Sequence, residues 1–140
     1  VPVVLAKVVF EEIAQQALSL GFEKHPLKAF SLFSGAGGMD IGAEYAGRID
    51  TRVTLDCWSD ACATLRGFFG KRLCVLEQDI TAVENPLSLW QNASGEVDAP
   101  DLVFGGPPCQ AFSQAGKQKG LKDSRGKMIF EFLRFVECLK

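Results

Sequence analysis

A chain of 140 residues with 47% apolar and 23% charged side chains is long enough for one domain with a real core, and no apolar run in it is long enough to span a bilayer. The formal net charge of -2 excludes a strongly basic, globally nucleic-acid-coating protein, so any contact with DNA has to come from a local basic patch or from another part of a larger protein. Five cysteines, at 57, 62, 74, 109 and 138, are odd in number and contain no C-x-x-C pair, which argues against a disulfide framework and a zinc site and suits a reducing cytoplasm.

"VPVVLAKVVFEEIAQQALSLG" places Leu5, Val8, Val9, Ile13, Ala17 and Leu20 at helical spacing, with Gly21 as the stop; its flanks are not those of a signal peptide. Beginning on Val1 rather than Met, the sequence is expected to be a piece of a longer or processed chain. "KAFSLF" (28–33) reads as a strand, "SGAGG" as a tight loop, and "MDIGAEYAG" as a helix ended by Gly47. "TRVTLD" (51–56) is a second strand, followed by "SDACATLRGFF", a helix capped by Ser59 or Asp60. "RLCVLEQD" (72–79) is a third strand, "NPLSLW" a short helix with Pro86 at its first position, and "NASGEVDAP" (92–100) the most loop-like stretch. "PDLVFGG" (100–106) is a fourth strand, and an amphipathic helix over 127–139 closes the chain. Strands alternating with helices predict an open α/β sheet, mostly parallel, with flanking helices.

Ligands of such sheets bind beyond the carboxyl ends of the strands. After the first strand come Ser34, Gly35, Ala36, Gly37 and Gly38, which let the backbone approach a ligand closely and leave a helix N-terminus facing it. After the second comes Asp56, about 20 residues beyond the loop and placed to bond a ribose hydroxyl pair, then Trp58, whose indole can lie on an adenine. After the third come Asp79 and Ile80, able to accept from an exocyclic amine and to pack the ring. Each feature has a plainer reading: a tight strand–helix connection, two helix caps, a core indole. Their occurrence in order, each at a strand end, favours an adenosine site. Position 40 is Asp, so the loop is not G-x-G-x-x-G; that disfavours a pyrophosphate-bearing dinucleotide and favours a smaller ligand such as S-adenosylmethionine.

The fourth strand leads into "GGPPCQAFSQAGKQKG" (105–120). Pro107 and Pro108 stiffen the approach to Cys109, as a nucleophile held within a fraction of an ångström requires. After it, Gly116, Gly120 and Gly126 alternate with Lys117, Lys119, Lys122, Arg125 and Lys127, a composition suited to a moving, phosphate-gripping loop. A buried inert cysteine and a solvated charged loop are the plainer alternatives.

These residues resemble a known family. "FSLFSGAGGMDIG" is similar to motif I of the DNA (cytosine-5) methyltransferases, "LDCWSDA" to motif II, and "QDI" to motif III. "GGPPCQAFSQAGKQKGLKDSRGKMIFEFLRF" resembles their catalytic motif IV through the flipping loop. The resemblance implies a partial catalytic domain with the Rossmann-like fold of S-adenosylmethionine-dependent methyltransferases. It implies that Phe33, Gly35, Ala36, Gly38, Asp56, Trp58, Asp79, Ile80, Pro108 and Met128 contact S-adenosyl-L-methionine, with Ser34 and Gly37 in the same loop. It further implies that Cys109 is the nucleophile and that Gln110, Ser113 and Lys117 lie along duplex DNA, with Lys119 and Arg125 in the same basic run. Ser31 stands where the family often has Asp, and Asp56 where Glu is common. "VPVVLAKVVFEEIAQ" resembles the end of motif X, which usually closes these enzymes; here it precedes motif I. The Glu-Asn-Val motif and the target-recognition domain are not in this sequence, so a complementary polypeptide segment carrying them is expected, as is a bacterial, cytoplasmic setting. A small-molecule or protein methyltransferase using the same cofactor leaves "PPCQ" and its lysine-rich sequel without a purpose. A non-catalytic subunit that binds cofactor alone is the remaining alternative.

Overall fold

A computed structural model describes residues 1–22, 26–108 and 127–140. The helix α1 spans Val3–Ser19 and is followed by β1 (Leu27–Leu32), α2 (Gly38–Ala46), β2 (Ile49–Asp56) and α3 (Ser59–Phe69). Then come β3 (Cys74–Glu77), α4 (Pro86–Ser94), β4 (Leu102–Gly105) and α5 (Met128–Cys138). Single 3-10 turns occupy Gly70–Arg72 and Ile80–Ala82. The four strands form one parallel sheet in the order β3-β2-β1-β4. Parallel neighbours cannot be joined by a hairpin, so each connection crosses over through a helix.

Strand alternation divides β1 between two layers. Phe30 and Leu32 join Val53 and Leu55 of β2, Ile80, Trp90 of α4, and Phe135 and Leu139 at the end of the chain. Leu27 and Ala29 face the other way, onto Ala6, Phe10 and Ala14 of α1 and Ala43 of α2, with Phe104 of β4. A smaller cluster of Leu65, Phe69 and Leu73 seats α3. Helices thus cover both faces, the arrangement expected from alternating strands and helices.

Three local expectations are corrected. The N-cap of α3 is Trp58, which makes no side-chain cap; neither Ser59 nor Asp60 fills that role, because the helix already begins at Ser59. β3 is shorter than 72–79 at both ends: a 3-10 turn through Arg72 delays its start to Cys74, and it stops at Glu77, ahead of the turn in which Asp79 accepts from the Thr81 N–H. Residues 92–94 of the expected loop belong to α4, which runs to Ser94 and stops on Gly95 at φ 75°. Among the described residues, no helix is long and apolar enough to cross a membrane.

Candidate cofactor site at the carboxyl ends of the strands

β1 ends at Leu32, β2 at Asp56, β3 at Glu77 and β4 at Gly105, all on one edge of the sheet. The candidate residues follow at that edge. Phe33 leaves β1 with φ 53°, the only non-glycine at positive φ among the described residues. An aromatic side chain pays about 1–3 kcal/mol to sit there and does so where surrounding structure over-determines the turn. That structure is a buried hydroxyl relay, in which Ser34 Oγ is hydrogen-bonded to Thr54 of β2 and lies 2.9 Å from Ser31 Oγ of β1. Gly37, at φ 87°, then opens α2 as its N-cap.

Asp56 ties this loop to the next. Its Oδ2 accepts from the Gly35 N–H at 2.8 Å and its Oδ1 from the Trp58 N–H at 2.8 Å. Each carboxylate oxygen keeps a second acceptor direction, so the group can hold the two loops and still receive a ligand hydroxyl. Trp58 is 61% exposed, so its indole is not core, and its apolar surface is available for burial against a ring. Asp79 is exposed; hydrogen bonds from the Thr81 hydroxyl (2.7 Å) and N–H (2.9 Å) hold its carboxyl below the ordinary range. Both bonds fall on Oδ1. Ile80, in contrast, is buried in the core.

Phe33, Ser34, Gly35, Ala36 and Gly38 share a cavity of about 370 Å³ with Val1, Met39 and Gly106. Asp56, Trp58, Asp79, Ile80, Pro108 and Met128 do not line it. Asp56 is joined to it through Gly35, Pro108 is exposed, and Met128 packs against the core cluster. Cys109, Gln110, Ser113, Lys117, Lys119 and Arg125 lie outside the described residues. A cavity of about 320 Å³ at the opposite strand edge, lined by Lys28, Asp50, Glu96, Asp98 and Asp101, is crossed by the Lys28–Glu96 ion pair at 2.6 Å.

Asp40 escaped the sequence reading as a site residue, although its failure to be glycine was the clue. Its side chain is fully buried in the first turn of α2, and neither oxygen has a hydrogen-bond partner among the described residues. Burial pushes its pKa from 3.8 to about 6, and the Asp56 charge adds to the rise. The nearby Ser31 hydroxyl, committed by its geometry to Ser34, and the backbone N–H of Asp40 itself temper it. Met39 and Gly106 were also missed; only the fold brings the start of α2 against the end of β4.

A family model described as C-5 cytosine-specific DNA methylase matches residues 27–140, so α1 lies outside the match. The chain is 46% identical over 109 residues to Type II methyltransferase M.AquIA of Picosynechococcus sp., covering 78% of this chain and 43% of that protein. It is 39% identical over 118 residues to Type II methyltransferase M.PspPI of Psychrobacter sp., covering 82% and 26%. With Type II methyltransferase M.HgiGI of Herpetosiphon aurantiacus it shares 35% identity over 115 residues, covering 81% and 83%. The chain therefore spans less than half the length of the first two relatives. Among solved structures, precorrin 8W decarboxylase of Methanobacterium thermoautotrophicum matches at a TM-score of 0.50 and 19% identity, over 92% of this chain and 57% of that one, which is a likeness of fold. A match running from β1 to the last residue takes in every strand of the sheet and every loop at its carboxyl edge, and by it this chain belongs to the C-5 cytosine-specific DNA methylase family.

Proposed function

We propose that the chain is the cofactor-binding, nucleophile-bearing part of an enzyme that transfers a methyl group from S-adenosyl-L-methionine to C5 of cytosine in duplex DNA. The observation that carries this reading is Asp56, whose carboxylate joins the Gly35 and Trp58 amides at the strand ends beside a glycine-lined cavity. That cavity, about 370 Å³, lies within the size range of small-molecule sites, and its floor of loop backbone leaves room for a ligand that a side chain would fill. Phe33, Ser34, Gly35, Ala36, Gly37 and Gly38 hold the cofactor from the β1 side, and Asp56, Trp58 and Asp79 bind its adenosine, with Ile80, whose side chain is in the core, offering only the backbone of its turn. Pro108 and Met128 complete the contacts.

When bound, the cofactor supplies an electrophilic sulfonium methyl group for C5. Cytosine C5 is a poor nucleophile, and Cys109 corrects that. Its thiolate sulfur bonds to C6, and the C5–C6 π electrons become available at C5, as in an enamine. After methylation the C5 proton is lost, the electrons of that bond reform the C5–C6 double bond, and the C6–S bond breaks to return the thiolate. The target atom is inaccessible inside a stacked duplex, so the base is flipped out, with Gln110, Ser113, Lys117, Lys119 and Arg125 along the DNA.

Residues 1–140 are then a partial catalytic domain, with α1 in the role of a motif X helix. A complementary segment contributes the carboxylate that polarises N3 and the domain that reads the target sequence. Exposed Ile129, Phe130 and Leu133 on α5, and Val4, Leu5 and Val8 on α1, support this reading, being apolar surface that a further segment would cover. The same reading gives the protein duplex DNA as its partner and a bacterial cytoplasm as its setting. The test is Cys109→Ser in the complete enzyme. Methyl transfer is abolished, cofactor affinity is kept, and the covalent complex with 5-fluorocytosine DNA disappears, because a serine alkoxide is scarce at neutral pH. Trapping of that DNA by the serine variant would overturn the assignment.

A further inference from the structure

Arg134 lies on α5, away from the glycine loop, yet it reaches the turn that carries Asp79. Its Nη2 donates to the carbonyl of Ile80 at 3.1 Å. The guanidinium is held by Glu131 one turn earlier, through Nε at 2.8 Å and Nη2 at 2.7 Å to the same carboxylate oxygen, and its carbon lies 5.1 Å from the Phe135 ring centroid. A planar group pinned by an acid and laid on an aromatic face has little freedom left, so it delivers the second Nη2 hydrogen to a fixed point. The receiving backbone is a single turn in which Asp79 and Ile80 carbonyls accept from Ala82 (3.0 Å) and Val83 (3.3 Å). Such a turn, three residues long, has no ladder of its own to hold its orientation. The Ile80 side chain anchors it below, in the core that Phe135 also enters, and Arg134 anchors it above.

We propose that Arg134 is a positioning residue that fixes the Asp79–Ala82 turn, through the Ile80 carbonyl, in the orientation from which Asp79 discriminates an adenine from a purine lacking the 6-amino group. This rests on the assignment of Asp79 to the adenine. Arg134 touches no ligand, so its contribution is selectivity rather than contact. Asp79 uses Oδ1 for Thr81, and a rotation of the turn by a few tens of degrees would move Oδ2 out of reach of an amine without breaking either Thr81 bond. A charge-assisted bond to the carbonyl resists that rotation.

The experiment is calorimetric titration of the unaltered chain, Arg134→Met, Arg134→Lys and Leu139→Ala with S-adenosylhomocysteine and with S-inosylhomocysteine. The unaltered chain prefers the adenosine ligand by about tenfold or more, since a 6-oxo group in place of the amine takes away the donor to the Asp79 carboxylate and sets a second acceptor against it. Arg134→Met loses about tenfold in affinity for the adenosine ligand and less than about twofold for the inosine ligand, collapsing the preference. Arg134→Lys, which retains the charge and one donor, recovers part of it. Leu139→Ala loosens the same core and weakens both ligands alike, leaving the ratio intact. An unchanged ratio in Arg134→Met overturns the proposal alone. Failure of the unaltered chain to bind either ligand, or equal binding of both, overturns the adenine assignment and the proposal with it.

Discussion

Asp40 occupies the position at which a dinucleotide-binding loop would have its third glycine, and there a fully buried carboxyl, with no partner among the described residues, replaces a hydrogen atom. The substitution has a consequence for stability. A carboxyl whose pKa is raised in the folded state binds its proton more tightly there than in the unfolded chain, so folding is favoured while it is protonated. That advantage is complete below about pH 3.8 and is lost as pH rises through about 6. A rise from 3.8 to about 6, at about 1.4 kcal/mol for each pH unit, is worth about 3 kcal/mol. Asp40→Asn removes the titration. The variant gains on the parent by about 2–2.5 kcal/mol between pH 4 and pH 7, read as the difference between their urea-unfolding free energies at each pH. A difference independent of pH would mean that Asp40 is not buried as a free acid. The same residue scale explains the loop itself. Ser31, Ser34 and Thr54 fill the layer between sheet and α2 with hydroxyls bonded to one another, which makes a strained Phe33 affordable.

Elements are placed by how closely their backbones can approach, and α1 packs closely against α2. A Cβ built on Gly42 of α2 would overlap Ala6 of α1 and come within 2.9 Å of the Lys7 backbone nitrogen. Gly67 of α3 has open space around its missing Cβ. Both are helical glycines, so alanine should add about 1 kcal/mol of helix propensity at each. At Gly67 nothing opposes that gain, and Gly67→Ala raises stability by about 0.5–1 kcal/mol. At Gly42 the neighbour is backbone and cannot rotate away; overpacking of about 1–3 kcal/mol outweighs the propensity, and Gly42→Ala lowers stability. Thermal unfolding of the two variants should therefore shift in opposite directions. Equal upward shifts would remove the close α1–α2 packing. The helix starts follow the same local logic. Asn85 caps α4 by accepting from the Ser88 N–H at 2.9 Å, while α3 starts from Trp58 without a capping side chain, the Trp58 N–H going to Asp56.

For the molecule as a whole, the outstanding feature is apolar surface on two helices. Ile129, Phe130 and Leu133 of α5 are 42%, 51% and 50% exposed, and Val4, Leu5 and Val8 of α1 are 75%, 56% and 56% exposed. β4 is an edge strand of the sheet among the described residues, so backbone groups there are available for pairing. Each large side chain left in water forgoes about 1.5–3 kcal/mol of burial. The chain alone should therefore self-associate as its concentration rises. Phe130→Lys with Leu133→Lys should keep the unfolding temperature within about 2 °C, since both positions already face solvent, and return the protein to a monomer by sedimentation velocity. Association that is undiminished in the double variant would place the sticky surface elsewhere.

Much of this was legible without coordinates. Periodicity alone placed four strands and five helices in order, because a period of two or of 3.6 is written into which residues are apolar. Parallel pairing followed from their alternation, and the loops after Leu32, Asp56 and Glu77 were identifiable because their glycines, acids and indole are rare in combination. Boundaries were less visible: the end of β3 and the cap of α3 depend on where a single carboxylate bonds, and Asp79 and Asp56 each had more than one local option. The contacts that decide the site were not legible at all. That Asp56 would grip Gly35, that Met39 would meet Gly106 and that Arg134 would reach back to Ile80 are pairings over 21, 67 and 54 residues, and that Asp40 would find no partner among the described residues is the result of such packing too. Periodicity reports which face of an element is buried; which neighbour it meets there is set by the twist and order of the sheet, and those exist only once the strands have paired.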